Sequence, residues 1–420
     1  MRIFYSDYGD DQARFARIEA LIAHLKAGGA TVCRTTRGPV DTVGQALPLP
    51  NIIRRSLVDG GYALHPDAPT DDALTLYSAG AFRYDHPKKS AADCYASVHV
   101  YRQYIEHELD RFAPDLVLLW HQFNAYHYII ADWCRRRGTP VIYGEHGVLP
   151  GSWCFEYHGQ MAESWIAQAP KRFAELPVDE ADIEHARAWL DHAVAARLNR
   201  KTGMTPLQDE TLRAKLDSDA RPKILYTGVN DYKTGLLPFS RSRTLQHTGD
   251  FISTEAGLRA LLPLAAKHGW HILYKPHPSI RHEFREAEAA KGHLTMIDKS
   301  VDLIDMLSRS DAMATILSQS AYMSLIHGRP TILMGRMQLS GSGLVHEAPY
   351  RRALEAAVRT ALKRDDAEAR RGKLIAHIAR LMRYYVISPD YGDRGMFRYD
   401  LSHFAESLLK TARSGDRKTA

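Results

Sequence analysis

The sequence has few of the features that mark secreted, metal-binding or membrane-spanning proteins. Only four cysteines occur in 420 residues, and no two form a CxxC pair, so neither a zinc ribbon nor a disulfide framework is indicated. No stretch approaches the roughly 18 apolar residues of a membrane span. The N-terminus lacks a charged segment followed by an apolar core, so no signal peptide is predicted. The cysteine pattern favours a reduced, cytoplasmic setting.

Common cofactor motifs are missing as well. The 21 histidines include no HExxH motif, and their spacings match no strong metal site. Neither a Walker loop nor a clean GxGxxG after a strand is present, which argues against an ATPase and a nicotinamide-dependent dehydrogenase. We therefore expect neither a metal nor a cofactor.

The composition is that of an ordinary globular protein. Hydrophobic residues make up 45% of the chain and charged residues 25%, with a formal net charge of +6. This mild positive balance fits small anionic substrates and argues against nucleic acid as a partner. Basic residues near the C-terminus also permit association with an anionic membrane surface, although a solvated tail is the favoured interpretation.

The chain alternates between apolar strands and amphipathic helices. In the first half, a continuous apolar run at 115–120 precedes a helical segment at 124–137 and a second strand from 140. This βαβ pattern with a short crossover predicts parallel strands. In the second half, strands are predicted in five segments, at 223–227, 271–275, 294–297, 312–316 and 331–334.

Two α/β halves of this kind predict two Rossmann-like domains facing a central cleft. We expect domains at 1–205 and 220–385 and a helical tail at 386–420, because residues 201–222 are polar. The segment from 350 to 412 is mostly helical and is expected to pack back across the boundary.

Polar side chains occur where strands of the second half end. Lys275, Pro276, His277 and Pro278 follow one buried-type strand, and Ser318-Gln319-Ser320 opens a helix after another. Strand ends of a parallel sheet form the ligand crevice, and Lys, His and Ser hold phosphate and sugar groups. The pattern predicts a nucleotide-sugar site, against the alternatives of a rigid turn and plain helix capping. For Asp302 and Asp305, a role in capping or decorating their helix is favoured.

Two carboxylates are candidates for the chemistry. Glu145 follows a predicted strand between Gly144 and Gly147, where it is either an acid or base or a turn carboxylate. Asp231 follows the first strand of the second half and is a candidate nucleophile or base, with Asp250 as its rival. The same loop carries basic side chains that either hold an anionic substrate or are solvated: Lys233, Arg241 and Arg243.

These segments resemble a known family. YKPHP, the segment TILSQSAYMSLIHGRPTILMG and GSGL are similar to the capsule-polysaccharide Kdo transferases of Gram-negative bacteria. These enzymes share a KPHP strand end, a TxxSQ segment and a GxPV-like strand. Glu145, Gly147, Leu149 and Pro150 look like the acidic-glycine motif of the same group. The resemblance covers roughly residues 115–345, and the match is more specific in the second half.

The resemblance implies a GT-B-like fold and a retaining β-Kdo transferase. The donor would be CMP-Kdo, in which cytidine monophosphate activates a 3-deoxy-ulosonic acid, and the acceptor a capsule or lipopolysaccharide O-antigen glycan. CMP is a good leaving group, so no metal is required. Lys275, His277, Pro278 and the Ser318–Ser320 segment would bind the donor, and His277 would also belong to the catalytic set.

The resemblance also implies that Asp231 is the nucleophile and Glu145 the acid or base. The loop here reads GVND, whereas the family has a longer glutamine-containing loop, so Asp250 stays in contention. Two alternatives to this function remain open. One is a transferase using CMP-sialic acid or another CMP- or CDP-activated donor. The other is a non-catalytic glycan-binding protein of polysaccharide assembly, in the cytoplasm or peripheral to the inner membrane.

Overall fold

The chain forms two compact units. The computed structural model describes residues 1–8, 11–36, 45–48, 72–200, 203–279, 292–363 and 367–414. The first unit comprises Met1–Gly147, Gly151–Gln160 and Val386–Ala420, and the second comprises Val148–Pro150 and Met161–Tyr385. Of the basic residues near the C-terminus, those at 415–420 lie outside the described residues, and the membrane association stays a prediction. No helix in the described part of the chain is both long and apolar enough to cross a membrane.

The units change at the predicted break between residues 385 and 386, but residues 161–200 belong to the second unit and the segment from 386 belongs to the first. Residues 161–200 group with the second sheet because the helix Glu180–Ala195 packs on the helix Ala367–Tyr384. The tail from 386 groups with the first sheet because Val386–Ile387 adds a strand to that sheet. The roles assigned to the predicted domains, acceptor-side and nucleotide-sugar, stay predictions.

The first unit is built on a mainly parallel sheet with strand order β13-β6-β5-β4-β1-β2-β3. The strands from β5 to β3 run parallel, β6 is antiparallel to β5, and β13 is antiparallel to β6. Their bounds are β1 Arg2–Ser6, β2 Thr31–Thr36, β3 Gln45–Pro48, β4 Leu116–Trp120, β5 Val141–His146, β6 Trp153–Glu156 and β13 Val386–Ile387.

The helices of the first unit begin and end where their capping residues allow. Asn124 accepts hydrogen bonds from the backbone N–H groups of Tyr126 and His127, and Gly138 ends the same helix in the left-handed conformation. The described helices are α1 Gln12–Ala27, α2 Ala73–Asp85, α3 Ala91–Phe112, α4 Ala125–Arg137 and α15 Leu401–Ser414. The predicted helix at 124–137 is confirmed.

The C-terminal helix returns to the first sheet. Leu401, Ala405 and Leu408 on α15 belong to the same buried cluster as Ile18 and Leu21 on α1. Because this cluster also includes apolar side chains of the sheet, burying α15 completes the core of the first unit. The prediction that C-terminal helices pack back is confirmed.

The second unit contains a parallel sheet with strand order β12-β11-β10-β7-β8-β9. Its strands are β7 Lys223–Thr227, β8 His271–Lys275, β9 Leu294–Met296, β10 Ala312–Thr315, β11 Thr331–Leu333 and β12 His346–Glu347. The neighbouring strands pair in parallel register. Strand β8 is buried along its whole length, as expected for a parallel sheet covered on both faces. The five strands predicted in this half are confirmed.

Along the chain, the described helices of the second unit precede, alternate with or follow these strands. They are α5 Trp165–Gln168, α6 Pro170–Ala174, α7 Glu180–Ala195, α8 Glu210–Ser218, α9 Arg243–His247, α10 Thr254–His268, α11 Leu303–Ser308, α12 Ser320–Ile326, α13 Arg351–Leu362 and α14 Ala367–Tyr384. Two parallel-rich sheets with flanking helices are the units that a GT-B-like fold requires, and this α/β fold class is confirmed.

Candidate functional site

A pocket opens at the C-terminal ends of β7 and β8 in the second unit. Its cavity volume is about 110 Å³. Five of the predicted donor-site residues border it, which places the predicted cluster in one cavity. The lining residues are Asn199, Arg200, Met204, Thr227, Gly228, Lys275, Pro276, His277, Pro278, Leu303, Ser318, Ser320 and Met323.

Lys275 is a buried cation at the edge of this pocket. Its Nζ donates a hydrogen bond to the backbone oxygen of Lys299 at 2.9 Å. Burial lowers the pKa of Lys275 from 10.5 to about 8, while the charges of Asp298 and Asp302 act in the opposite direction. The ammonium group is therefore predominantly charged at neutral pH and stays available as a point charge for an anion.

His277 is held in a defined tautomer. Its Nδ1 accepts a hydrogen bond from the backbone N–H of Ser279 at 3.1 Å. A ring nitrogen that accepts an N–H carries no proton, so in the neutral ring the proton is on Nε2. The imidazole can thus donate through Nε2 to a phosphate or carboxylate oxygen.

Gly228 allows the ends of β7 and β8 to approach each other. A Cβ on this residue would lie 3.1 Å from Cγ2 of Thr254, 3.2 Å from the Tyr274 hydroxyl and 3.3 Å from the backbone N of His277. These contacts are tight, so an added Cβ would require one or more of these neighbours to shift by a few tenths of an ångström.

The Ser318–Ser320 segment is held by hydroxyl bonds. Oγ of Ser318 accepts from the backbone N of Ser320, and Oγ of Ser320 lies 2.9 Å from Oγ1 of Thr227 on β7. Gln319 is buried and does not line the pocket, and its amide has no hydrogen-bond partner among the described residues. The serines thus occupy the predicted position, whereas a ligand contact for Gln319 stays a prediction.

Asp231 lies outside the pocket lining and has a structural contact. Its carboxylate accepts from the backbone N–H of Thr254, at 3.1 and 3.2 Å, and from Oγ1 of Thr254 at 2.7 Å. These bonds attach the β7 loop to the first turn of α10, where the helix dipole favours an anion. Together with burial, the charge of Asp231 raises the pKa of Tyr226 and Tyr274.

The other loop candidates also have partners or positions away from the pocket. Asp250 accepts from the backbone N–H of Arg351 at 2.7 Å. Arg243 donates through Nε to Oε1 of Glu163 at 2.9 Å, and Arg241 is exposed. None of these residues, nor Lys233, is among the lining residues of the pocket.

Glu145 belongs to the first unit, and its surroundings differ from those predicted. Strand β5 continues through Glu145 to His146 because β6 pairs with it, with Cys154 opposite Glu145. Glu145 therefore lies within the strand, and the alternative of a turn carboxylate is wrong. Both glycines are closely packed against other protein groups. A Cβ on Gly144 would lie 2.9 Å from the Trp120 ring, and a Cβ on Gly147 would lie 2.0 Å from Oγ of Ser152.

The structure also identifies site residues that the sequence did not reveal. Asn199, Arg200 and Met204 line the pocket, although they lie at or before the polar stretch interpreted as a domain boundary. The available signal was Asn-Arg-Lys at 199–201, an amide and two cations directly after a long amphipathic helix.

Asp302 caps α11 by accepting a hydrogen bond from the backbone N–H of Ile304, so the favoured capping role is confirmed. Among the described residues, no group of three or more His, Cys, Asp and Glu side chains is arranged to hold a metal.

Residues 240–385 match one family model, described as "capsule polysaccharide biosynthesis protein". The match covers this part of the chain only. It contains Lys275, His277 and the Ser318–Ser320 segment, and over these residues the predicted resemblance to capsule-polysaccharide proteins is confirmed. No curated protein matches the chain.

Several solved structures are similar to the chain at low identity. The β-Kdo 2,7 transferase of KpsC from Thermosulfurimonas dismutans is 15% identical, with 74% of this chain and 90% of that chain covered and a TM-score of 0.44. The β-Kdo 2,4 transferase of the same KpsC is also 15% identical, with 70% of this chain and 86% of that chain covered and a TM-score of 0.45. The UDP-GlcNAc 2-epimerase of Methanocaldococcus jannaschii is 12% identical, with coverages of 91% and 99% and a TM-score of 0.36.

Proposed function

We propose that this chain is a glycosyltransferase that uses a CMP-activated donor, and that the donor is CMP-Kdo. The observation that carries the proposal is the pocket, in which Arg200, Lys275 and His277 border one space with no carboxylate among the lining residues described. Cations at a partly dehydrated surface attract an anion such as a nucleotide phosphate. The family match over residues 240–385 supports a role in capsule polysaccharide synthesis.

The proposed donor contacts follow from the positions of these groups. Lys275 supplies charge, and Nε2–H of His277 donates to a phosphate or carboxylate oxygen. The hydroxyl groups of Ser318 and Ser320 bind neighbouring oxygens, and Pro278 borders the pocket. Met204 and Leu303 give part of the pocket an apolar wall, against which a base or sugar ring loses contact with water. We expect these polar and apolar contacts together to provide the affinity for the donor.

The proposed reaction consists of two displacements at the anomeric carbon. In the first, the Asp231 carboxylate forms a bond to this carbon as the bond to the phosphate oxygen breaks, and CMP departs with the bonding electrons. In the second, an acceptor hydroxyl displaces Asp231 and its proton passes to Glu145. Two inversions give net retention and a β-Kdo linkage. Thr254 donates to Asp231 and stabilises the carboxylate in its charged form.

The proposed partners are the nucleotide-sugar donor and a glycan acceptor of capsule or lipopolysaccharide O-antigen. We also propose a cytoplasmic location, with association at the inner membrane or with an assembly complex as its extension. Four buried free cysteines, Cys33, Cys94, Cys134 and Cys154, are consistent with a reducing compartment.

A second transferase function is supported by the same pocket. The cations that line it recognise a phosphate and not a particular sugar, so CMP-sialic acid and CDP-activated donors fit the argument equally. A non-catalytic glycan-binding protein is the alternative from another class, and it predicts no release of nucleotide.

The test is an incubation of the full chain with CMP-Kdo, CMP-sialic acid and CDP-activated sugars, each with a panel of capsule and O-antigen glycans. We expect release of CMP with CMP-Kdo and a β-linked product by NMR of the anomeric position. An α-linked product would contradict retention. If only another donor is turned over, that donor replaces CMP-Kdo in the proposal. If no nucleotide is released from any donor, the glycan-binding alternative is favoured.

A further inference from the structure

Two stretches before and after residues 201–202 form a wall of the pocket, and we name residues 197–200 and 203–207 the strap. The strap is fixed to the start of α11 through side chains. Nδ2 of Asn199 donates to Oδ1 of Asp302 at 2.7 Å, and Nη2 of Arg197 lies 3.4 Å from Oδ2 of the same carboxylate. One carboxylate therefore holds two residues of the strap.

Backbone bonds fix the second part of the strap. The backbone N of Asp302 donates to the oxygen of Thr205 at 2.6 Å, and Thr205 pairs with Val301 as an isolated bridge. Oδ2 of Asp305 accepts from the backbone N–H of Leu207 at 2.9 Å. The strap is thus attached on both sides of Arg200 and Met204, which line the pocket.

Arg200 contributes to the positive charge of the pocket. Asp302 is near enough to Lys275 to act on its pKa, but this carboxylate already accepts from Asn199 and lies beside Arg197. The lining residues then present Arg200 and Lys275 as cations with His277 as a further donor. A guanidinium offers paired N–H groups that match two phosphate oxygens, which a lysine ammonium does not.

We propose that Arg200 binds the phosphate of the donor nucleotide, and that Asp302 positions Arg200 by holding the strap. This inference rests on the proposed function and adds to it a phosphate-binding residue outside the segment that matches the capsule family. Arg200 is a binding residue, and Asp302 acts through it. The ligand class is a nucleoside monophosphate ester, recognised through its phosphate.

The direct test compares binding of CMP and cytidine by calorimetry. In Arg200→Ala we expect the affinity for CMP to fall about tenfold or more, as for loss of a charge-assisted hydrogen bond, while the affinity for cytidine is unchanged. Arg200→Lys restores part of the affinity because it keeps the charge. Arg187→Ala is the control, since Arg187 is exposed on α7 and does not line the pocket.

A double-mutant cycle tests the positioning role. Asp302→Asn should weaken CMP binding several-fold in the native background but have little further effect when combined with Arg200→Ala. Additive losses would show that Asp302 acts independently of Arg200 and would overturn the positioning role. Thermal unfolding of each variant identifies any loss of the fold, and for a variant that unfolds, the milder Arg200→Gln replaces Arg200→Ala.

The two proposals fail in different ways. If Arg200→Ala binds CMP as tightly as the native chain, the inference is overturned even where transfer from CMP-Kdo is observed. If no donor is turned over but CMP binding depends on Arg200, the inference stands and the proposed activity does not.

Discussion

Hydrogen bonds within the protein hold the polar residues of the pocket. Lys275 is bound to the backbone oxygen of Lys299, and His277 accepts from Ser279. Each side chain is thereby oriented before a ligand arrives, which reduces the entropy lost on binding.

Lys275 gives a prediction for pH. Because its pKa is about 8 in the folded chain, its charge is lost as the pH rises through about 8, whereas a CMP phosphate stays dianionic there. Affinity for CMP should therefore decline above this pH, and Lys275→Met should bind more weakly and lack this decline. Calorimetric titrations at successive pH values measure both.

The lowered pKa of Lys275 also predicts how the stability of the fold changes with pH. The value of 10.5 is lowered on folding, so between about 8 and 10.5 the unfolded chain binds more protons than the folded chain. Burial of the charge destabilises the fold below pH 8, and this destabilisation is relieved as the pH rises through the window. An affinity for CMP that is constant from pH 7 to 10 would contradict a contribution of the Lys275 charge to CMP binding.

Single residues of the site could be predicted to different extents. Lys275 and His277 follow a strand that is unmistakable in the sequence, and the ends of parallel strands meet at one edge. Arg200 could not be predicted, because its position depends on Asp302, which lies about a hundred residues further along the chain. The polar composition around it is that of a linker.

At the level of elements, local patterns predicted the strands well and missed what long-range pairing adds. The run at 271–275 is apolar throughout and forms β8. Strand β5 extends beyond its apolar run to His146 because β6 supplies partners from residues 153–156. Glu145 therefore lies in a strand, and the glycines beside it are explained by packing.

Gly144 tests this interpretation of β5. In Gly144→Ala the new methyl group would meet Trp120 and Phe155, at 2.9 and 3.0 Å. We expect the free energy of unfolding to fall by about 1–3 kcal/mol, as for overpacking in a core. Denaturant unfolding measures the change.

Gly372 is the matched control for this substitution. It lies within α14, and a Cβ there would meet nothing within 4 Å. Gly372→Ala should raise the free energy of unfolding by about 0.5–1 kcal/mol, because alanine restricts the unfolded chain. If Gly144→Ala is also neutral or stabilising, the packing explanation of Gly144 fails.

At the scale of the whole molecule, the two candidate catalytic carboxylates belong to different units. Glu145 lies in the first unit and Asp231 in the second, together with the pocket. Binding and chemistry should therefore separate on mutation. Glu145→Gln is expected to lower turnover by about 10²–10⁴-fold, as for loss of a general acid or base, with CMP affinity unchanged. Near-normal turnover of this variant would leave Glu145 a structural residue of β5.

Asp231→Asn should abolish transfer while preserving CMP binding. The native chain incubated with CMP-Kdo should carry the sugar on the peptide that contains Asp231, as detected by mass spectrometry. Unfolding measurements are essential here, because Asp231 also holds Thr254 at the start of α10. A stable, inactive variant supports the nucleophile, whereas an adduct on the Asp250 peptide would transfer that role to Asp250.

We propose that the pocket at the ends of β7 and β8 binds CMP through its phosphate. A crystal structure of the chain with CMP provides the test. We predict the phosphate within hydrogen-bonding distance of Nε2 of His277 and of the Arg200 guanidinium, with the ammonium of Lys275 beside it. CMP bound elsewhere, or an unoccupied pocket at saturating CMP, would contradict the account.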